Sequence, residues 1–139
     1  MLRYRILKSM SNALLLDTQV LLWVGMQTSS LSKKARALIE DDDASLFFSV
    51  ASIWEIAIKK SIGKLKLPIP TTTFISSICT ANGISTLSIE PEHAIGVEEV
   101  ERIHSDPFDR LLVSQARHLG LSLLSSDEVF DRYKVNRIW

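Results

Sequence analysis

Four carboxylates stand where acids could act together. They are Asp17 after the apolar run ALLL, Glu55 within SIWEIAIKK, Asp109 within DPFDRLL and Asp127 within LLSSDEVF. Each also has an ordinary structural reading. Asp17 can cap the helix that follows it. Glu55 can pair with Lys59 one turn later, worth about 0.3–0.5 kcal/mol. Asp109 can answer Asp106 in a variant of the capping box. Asp127 can favour the positive end of a short helix. If the four converge, their repulsion is costly unless a cation neutralises it. Oxygen donors of this kind select Mg2+ or Mn2+. One or two such ions suit phosphodiester cleavage by activated water, with no covalent nucleophile.

The elements that must position these acids alternate. Short apolar strands are expected at 13–16, 45–49, 84–89 and 121–125, with NRIW as a last, edge strand. Helices are expected between them: a short one ending near Gly25, an amphipathic one over 31–43 with Ser32 as cap, and VASIWEIAIKKSIG closed by Gly63. Further helices are TTTFISSICTANG, PEHAIGVEEVE, DPFDRLLVSQARHLG stopped by Gly120, and SDEVFDRY. The prolines of LKLPIP bar an interior strand there. Strands alternating with helices indicate an α/β domain with a mainly parallel sheet covered on both faces. In such sheets sites form beyond the carboxyl ends of the strands, where Asp17 and Asp127 fall. On a helical wheel Glu55 borders a wide apolar arc with Ile53, Trp54, Ala57 and Ile62, and Asp109 borders the stripe Phe108–Leu112–Ala116.

The 139 residues fit one domain, 1–139, with residues 1–11 as an N-terminal extension adding little to the core. Hydrophobic residues make up 46%, which excludes a disordered chain. Lys+Arg and Asp+Glu balance at 16 each, so nucleic-acid contact would have to come from local basic patches. Candidates are Lys59, Lys60, Lys64 and Lys66, and Arg110 with Arg117. Cys79 is the only cysteine, which excludes an internal disulfide and reads as a buried structural thiol. No apolar run is long enough to span a membrane, Asp17 and Gln19 interrupt the signal-like start, and the protein is expected in the cytoplasm.

The blocks LLLDTQVLLW, SVASIWEIAIKKSIGKL, HSDPFDRLLVSQA and LLSSDEVF, in this order, resemble the PIN-domain family and within it the VapC-type toxins of bacterial toxin–antitoxin pairs. The resemblance runs from Leu14 to about Phe130. It implies a three-layer α/β/α domain and a Mg2+- or Mn2+-dependent endoribonuclease. It places the catalytic, metal-holding quartet on Asp17, Glu55, Asp109 and Asp127, with Thr18 and Asp106 as auxiliaries. It further implies a VapB-like antitoxin as partner, an RNA substrate and a homodimer. Lys59 and Arg110 are the candidates for substrate contact. Gln19 and Ser126 depart slightly from the usual family strings. The apolar segments VASIWEIAI and VLLW suit either a core or a partner surface.

Two other readings compete. A phosphatase using Asp17 as nucleophile wants a second acid two residues on, where Gln19 stands. A catalytically silent PIN-like binding module would have no use for four clustered acids. The run EDDD (40–43) reads as a solvated helix end. His104, just before DPFD, reads as a surface residue. No G-x-S-x-G elbow or glycine-rich nucleotide loop occurs.

Overall fold

The computed structural model describes residues 12–139. The N-terminal stretch 1–11 lies outside the described residues. The chain runs β1 (Ala13–Leu16), α1 (Thr18–Met26), α2 (Lys33–Glu40), β2 (Ser45–Ser49), α3 (Val50–Ser61), α4 (Thr71–Asn82) and β3 (Ile84–Leu87). It continues through α5 (Pro91–Ile95), α6 (Pro107–Leu119), β4 (Ser122–Leu124) and β5 (Arg137–Ile138). Single 3-10 turns occupy Thr28–Ser30, Gly96–Glu99 and Glu128–Arg132.

The sheet is five-stranded, ordered β3-β2-β1-β4-β5, and every pairing is parallel. Parallel strands are buried on both faces, which explains why ALLL carries no polar alternation. Successive residues of β1 point to opposite faces. Leu14 and Leu16 join one core with Val20 and Leu21 of α1, Ala35 of α2, Ile56 of α3, and Phe74 and Ile78 of α4. Ala13 and Leu15 join another, with Leu112, Val113 and Ala116 of α6, Phe130 and Tyr133. The sheet therefore lies between two helical layers, as the alternating pattern and the family resemblance both require. Each fully buried leucine of β1 contributes about 1.5–3 kcal/mol of apolar burial.

The chain leaves β1 towards β2 and β3, then returns across it to β4 and β5. That reversal makes the carboxyl ends of β1 and β4 a topological switch point, where crevices open in α/β sheets.

Local sequence explains most element ends. Ser32 caps α2 through Ala35 N at 3.0 Å. Gly120 ends α6 at φ 65°, a conformation side chains disfavour. Three expectations shift. The helix expected over PEHAIGVEEVE breaks after Ile95 into a 3-10 turn, where Gly96 packs against Ser114 and His118 of α6. Helix α1 ends at Met26, one residue past the Gly25 near which its end was expected. Cys79 is half-buried against the first core rather than inside it. Gly25 serves packing: a Cβ there would lie 2.5 Å from the Phe74 ring, itself only 3% exposed. Among the described residues no helix is long and apolar enough to cross a membrane.

Gly25→Ala should therefore destabilise the protein by about 1–3 kcal/mol through overpacking, despite gaining up to about 1 kcal/mol of helix propensity. Urea unfolding measures it; a neutral or stabilising result would show that α1 and α4 can part freely.

Candidate active site

Asp17 is the first residue beyond β1, and its N–H donates to Leu124 O of β4 at 3.1 Å. The backbone thus holds it at the switch point. Its Oδ1 accepts from Val20 N at 2.8 Å, so it does cap α1. Its Oδ2 accepts from the Ser125 hydroxyl, which is buried just after β4. Ser125 Oγ also accepts from Asp127 N at 3.0 Å, bringing the acid of LLSSD to the same place. Asp127 Oδ1 accepts from Val129 N at 3.0 Å and caps the following 3-10 turn.

Glu55 comes from α3. Its Oε1 accepts from Thr18 Oγ1 at 2.6 Å, and its Oε2 pairs with Lys59 Nζ at 2.6 Å. Thr18 Oγ1 lies 2.9 Å from Ser52 Oγ, so two hydroxyls link α1 to α3. Helix α3 is set differently from the wheel reading. Ala51, Ser52, Glu55 and Ile56 form its buried face, while Trp54 is 58% and Ile62 59% exposed. Glu55 itself is only 7% exposed.

Asp109 lies in the first turn of α6. Asp106 starts that helix: its Oδ1 accepts from Phe108 N at 2.9 Å and Asp109 N at 3.3 Å, ahead of Pro107. Asp109 Oδ2 meets His104 Nε2 at 2.9 Å, and His104 Nδ1 meets Tyr133 Oη at 2.5 Å. His104 is therefore not the free surface residue expected of it. Trp54 and Phe108, each immediately before a site acid, pack edge to face with ring centroids 5.2 Å apart.

One cavity of about 370 Å3 is lined by Asp17, Thr18, Glu55, Lys59, Asp106, Asp109 and Asp127. Arg110 does not reach it. Its guanidinium donates to Val97 O at 3.2 Å and Val100 O at 3.3 Å, and it lines the adjoining cavity with Arg102, His104 and Ser105. Ser125, His104 and Tyr133 are the site residues sequence reasoning missed; only the polarity of LLSSD and of HSDPFD hinted at the first two.

Burial pushes the Asp17 carboxyl from 3.8 up to about 6, and the charges of Asp109 and Asp127 push the same way against the Ser125 and Val20 hydrogen bonds. Burial likewise raises Asp109 to about 6, with Asp106 and Glu55 adding to it and His104 opposing. Among the described residues no three acid, histidine or cysteine groups are drawn round one point closely enough to hold an ion. The reason is visible in the bonds: each acid has taken a donor from the chain, Lys59 for Glu55 and His104 for Asp109. The acids that face the cavity nonetheless offer only oxygen, and the raised carboxyls of Asp17 and Asp109 are those a cation would relieve. That fits a hard divalent ion.

The PIN-domain family model matches residues 14–136. A stretch of 60 residues is 37% identical to Ribonuclease VapC16 of Mycobacterium tuberculosis, covering 43% of this chain and 43% of that protein's length. The fold is similar to VapBC2 from Rickettsia felis, solved bound to a DNA fragment from its promoter, with TM-score 0.69, 10% identity, and 91% of this chain and 97% of that chain covered. It is also similar to DNA-bound VapBC from Salmonella typhimurium, with TM-score 0.63, 13% identity, and 91% and 96% covered.

Two outcomes follow from the geometry. A carboxyl whose folded pKa lies above its ordinary 3.8 holds a proton that the unfolded chain has released between about pH 4 and 6. Its contribution to stability falls as pH rises through that window, by at most about 3 kcal/mol for Asp17 at 1.36 kcal/mol per unit. In EDTA, Asp109→Asn should stabilise relative to the parent more at about pH 7.5 than at about pH 4.5. Equal offsets in urea unfolding at both would reject the raised Asp109 carboxyl. Asp106→Ala should cost about 1 kcal/mol as a lost cap, seen as a lower melting temperature.

Proposed function

The chain belongs to the PIN-domain family, and we propose that it is a Mg2+- or Mn2+-dependent endoribonuclease of the toxin class, restrained by a VapB-like antitoxin. The observation that carries this reading is the single cavity at the switch point into which Asp17, Glu55, Asp109 and Asp127 open together. The likeness to a protein named a ribonuclease, and to toxin–antitoxin structures, supports it.

In this reading the four acids hold the ion. The chemistry such an ion would supply there is activation of water and neutralisation of charge on the phosphate. The chain's own groups fix the geometry. Ser125 and Val20 N each donate to one oxygen of Asp17 and so fix the orientation of its carboxylate. Thr18 orients Glu55 from the neighbouring helix. Asp106 starts α6 so that Asp109 is presented from its first, rigid turn. Lys59 sits at the cavity wall, where it can pass from Glu55 to a substrate phosphate. In this reading the PIN domain matched over residues 14–136 works in the cytoplasm. The exposed apolar row Val50, Trp54 and Ile58 on α3, continued by Ile62 just past its end, is the surface offered to the antitoxin or a second copy.

The phosphatase alternative loses ground at Gln19, which is exposed and carries no acid. A silent binding module leaves the strained acids at 17 and 109 without a use.

Purified protein should cleave RNA with Mn2+ and not with EDTA. Asp109→Asn should lower the rate at least about 100-fold, since even changes outside the ligands of a metal site cost 10–100-fold. Undiminished cleavage by Asp109→Asn would end this assignment.

A further inference from the structure

The segment from Arg102 to Arg110 divides its polar side chains between two adjoining cavities. Asp106 and Asp109 face the acidic one. Arg102, His104, Ser105 and Arg110 line the other, a cavity of about 410 Å3. His104 joins the two, since it lines the second and its ring bonds Asp109 in the first at 2.9 Å. Among the described residues neither Arg102 nor Arg110 belongs to an ion pair, whereas Lys59, Arg117 and Arg137 each do. Arg110 is nevertheless fixed, because two loop carbonyls, Val97 O and Val100 O, anchor its guanidinium. Arg102 is exposed and without a hydrogen-bond partner among the described residues.

Two guanidinium groups and a hydroxyl round one cavity make an anion site, while the His104 ring, with both nitrogens already engaged, only forms part of its wall. Arginine is the side chain whose planar fork suits phosphate oxygens. The chain has no net charge, so no global field draws in a polyanion. A phosphate bound here would lie beside the acidic cavity, which by itself repels RNA.

We propose that the Arg102–His104–Ser105–Arg110 cavity binds a backbone phosphate of single-stranded RNA next to the phosphate that is cleaved. The proposal rests on the nuclease reading for which phosphate is cleaved, but not for the binding itself. The cavity sets register along the strand: it grips the backbone and reads no base.

The test measures binding of a fluorescent oligouridylate in EDTA by anisotropy, as a function of salt, for the parent, Arg102→Ala and Arg102→Lys. Melting temperatures check that the exposed substitutions leave the fold intact. Loss of one phosphate contact on a single strand should lower the slope of log affinity against log salt by about 0.7. Arg102→Ala should show that loss with severalfold weaker binding, and Arg102→Lys should largely retain both. An Arg102→Ala protein with unchanged slope and affinity overturns the proposal, whether or not the parent cleaves RNA. If the parent binds but cleaves nothing with Mn2+, while Arg102→Ala loses slope, the phosphate site stands and the nuclease reading falls.

Discussion

The burial of carboxylates gathered round the ends of β1 and β4, to which their mutual repulsion adds, is the constraint that the rest of the structure answers. Buried acids in low dielectric either take up protons or find positive partners. Here Asp17 and Asp109 show the first response in part, with carboxyls lifted to about 6. They and Glu55 also gain hydrogen-bond donors, from Val20 N–H, His104 and Lys59. Capping and chemistry are thus not alternatives for these residues. The bonds that make Asp17, Asp106 and Asp127 good helix starters also fix where their remaining oxygens point.

Holding acids in so unfavourable a place requires rigid supports. The fully buried β1 provides one, locked between β2 and β4 at Leu16, paired with Phe48 and Leu124. The buried Ser125 hydroxyl ties β4 back to Asp17. Thr18 and Ser52 let α1 and α3 approach through small polar groups where larger side chains would keep them apart. Tyr133, from the opposite core, steadies the imidazole that meets Asp109.

How much of this was legible in the sequence depended on range. An apolar run ending in Asp17, and a proline behind Asp106, report on themselves within a few residues. The alternation of strands and helices gave the parallel sheet and its two covered faces. The Ser125–Asp17 and His104–Tyr133 contacts join residues 108 and 29 apart, and no local pattern announces them. Helix α3 failed for another reason. It carries apolar side chains on two faces, and a wheel cannot tell which meets the core. Small Ala51 and Ser52 beside Glu55 turned inward, because close approach to α1 and a buried bond to Thr18 outweighed the larger area of Trp54.

The edge-to-face contact of Trp54 with Phe108 spans α3 and α6 on the outside of the molecule, one residue before Glu55 and Asp109 on the inside. A body that settles on those rings with a preference for one spacing of the two helices also selects one spacing of the two acids. Linkage is reciprocal: whatever free energy the outer contact lends to a ligand between the acids, that ligand returns to the outer contact. The aromatic pair therefore ties the spacing of α3 and α6 at the surface to the spacing of Glu55 and Asp109 beneath it.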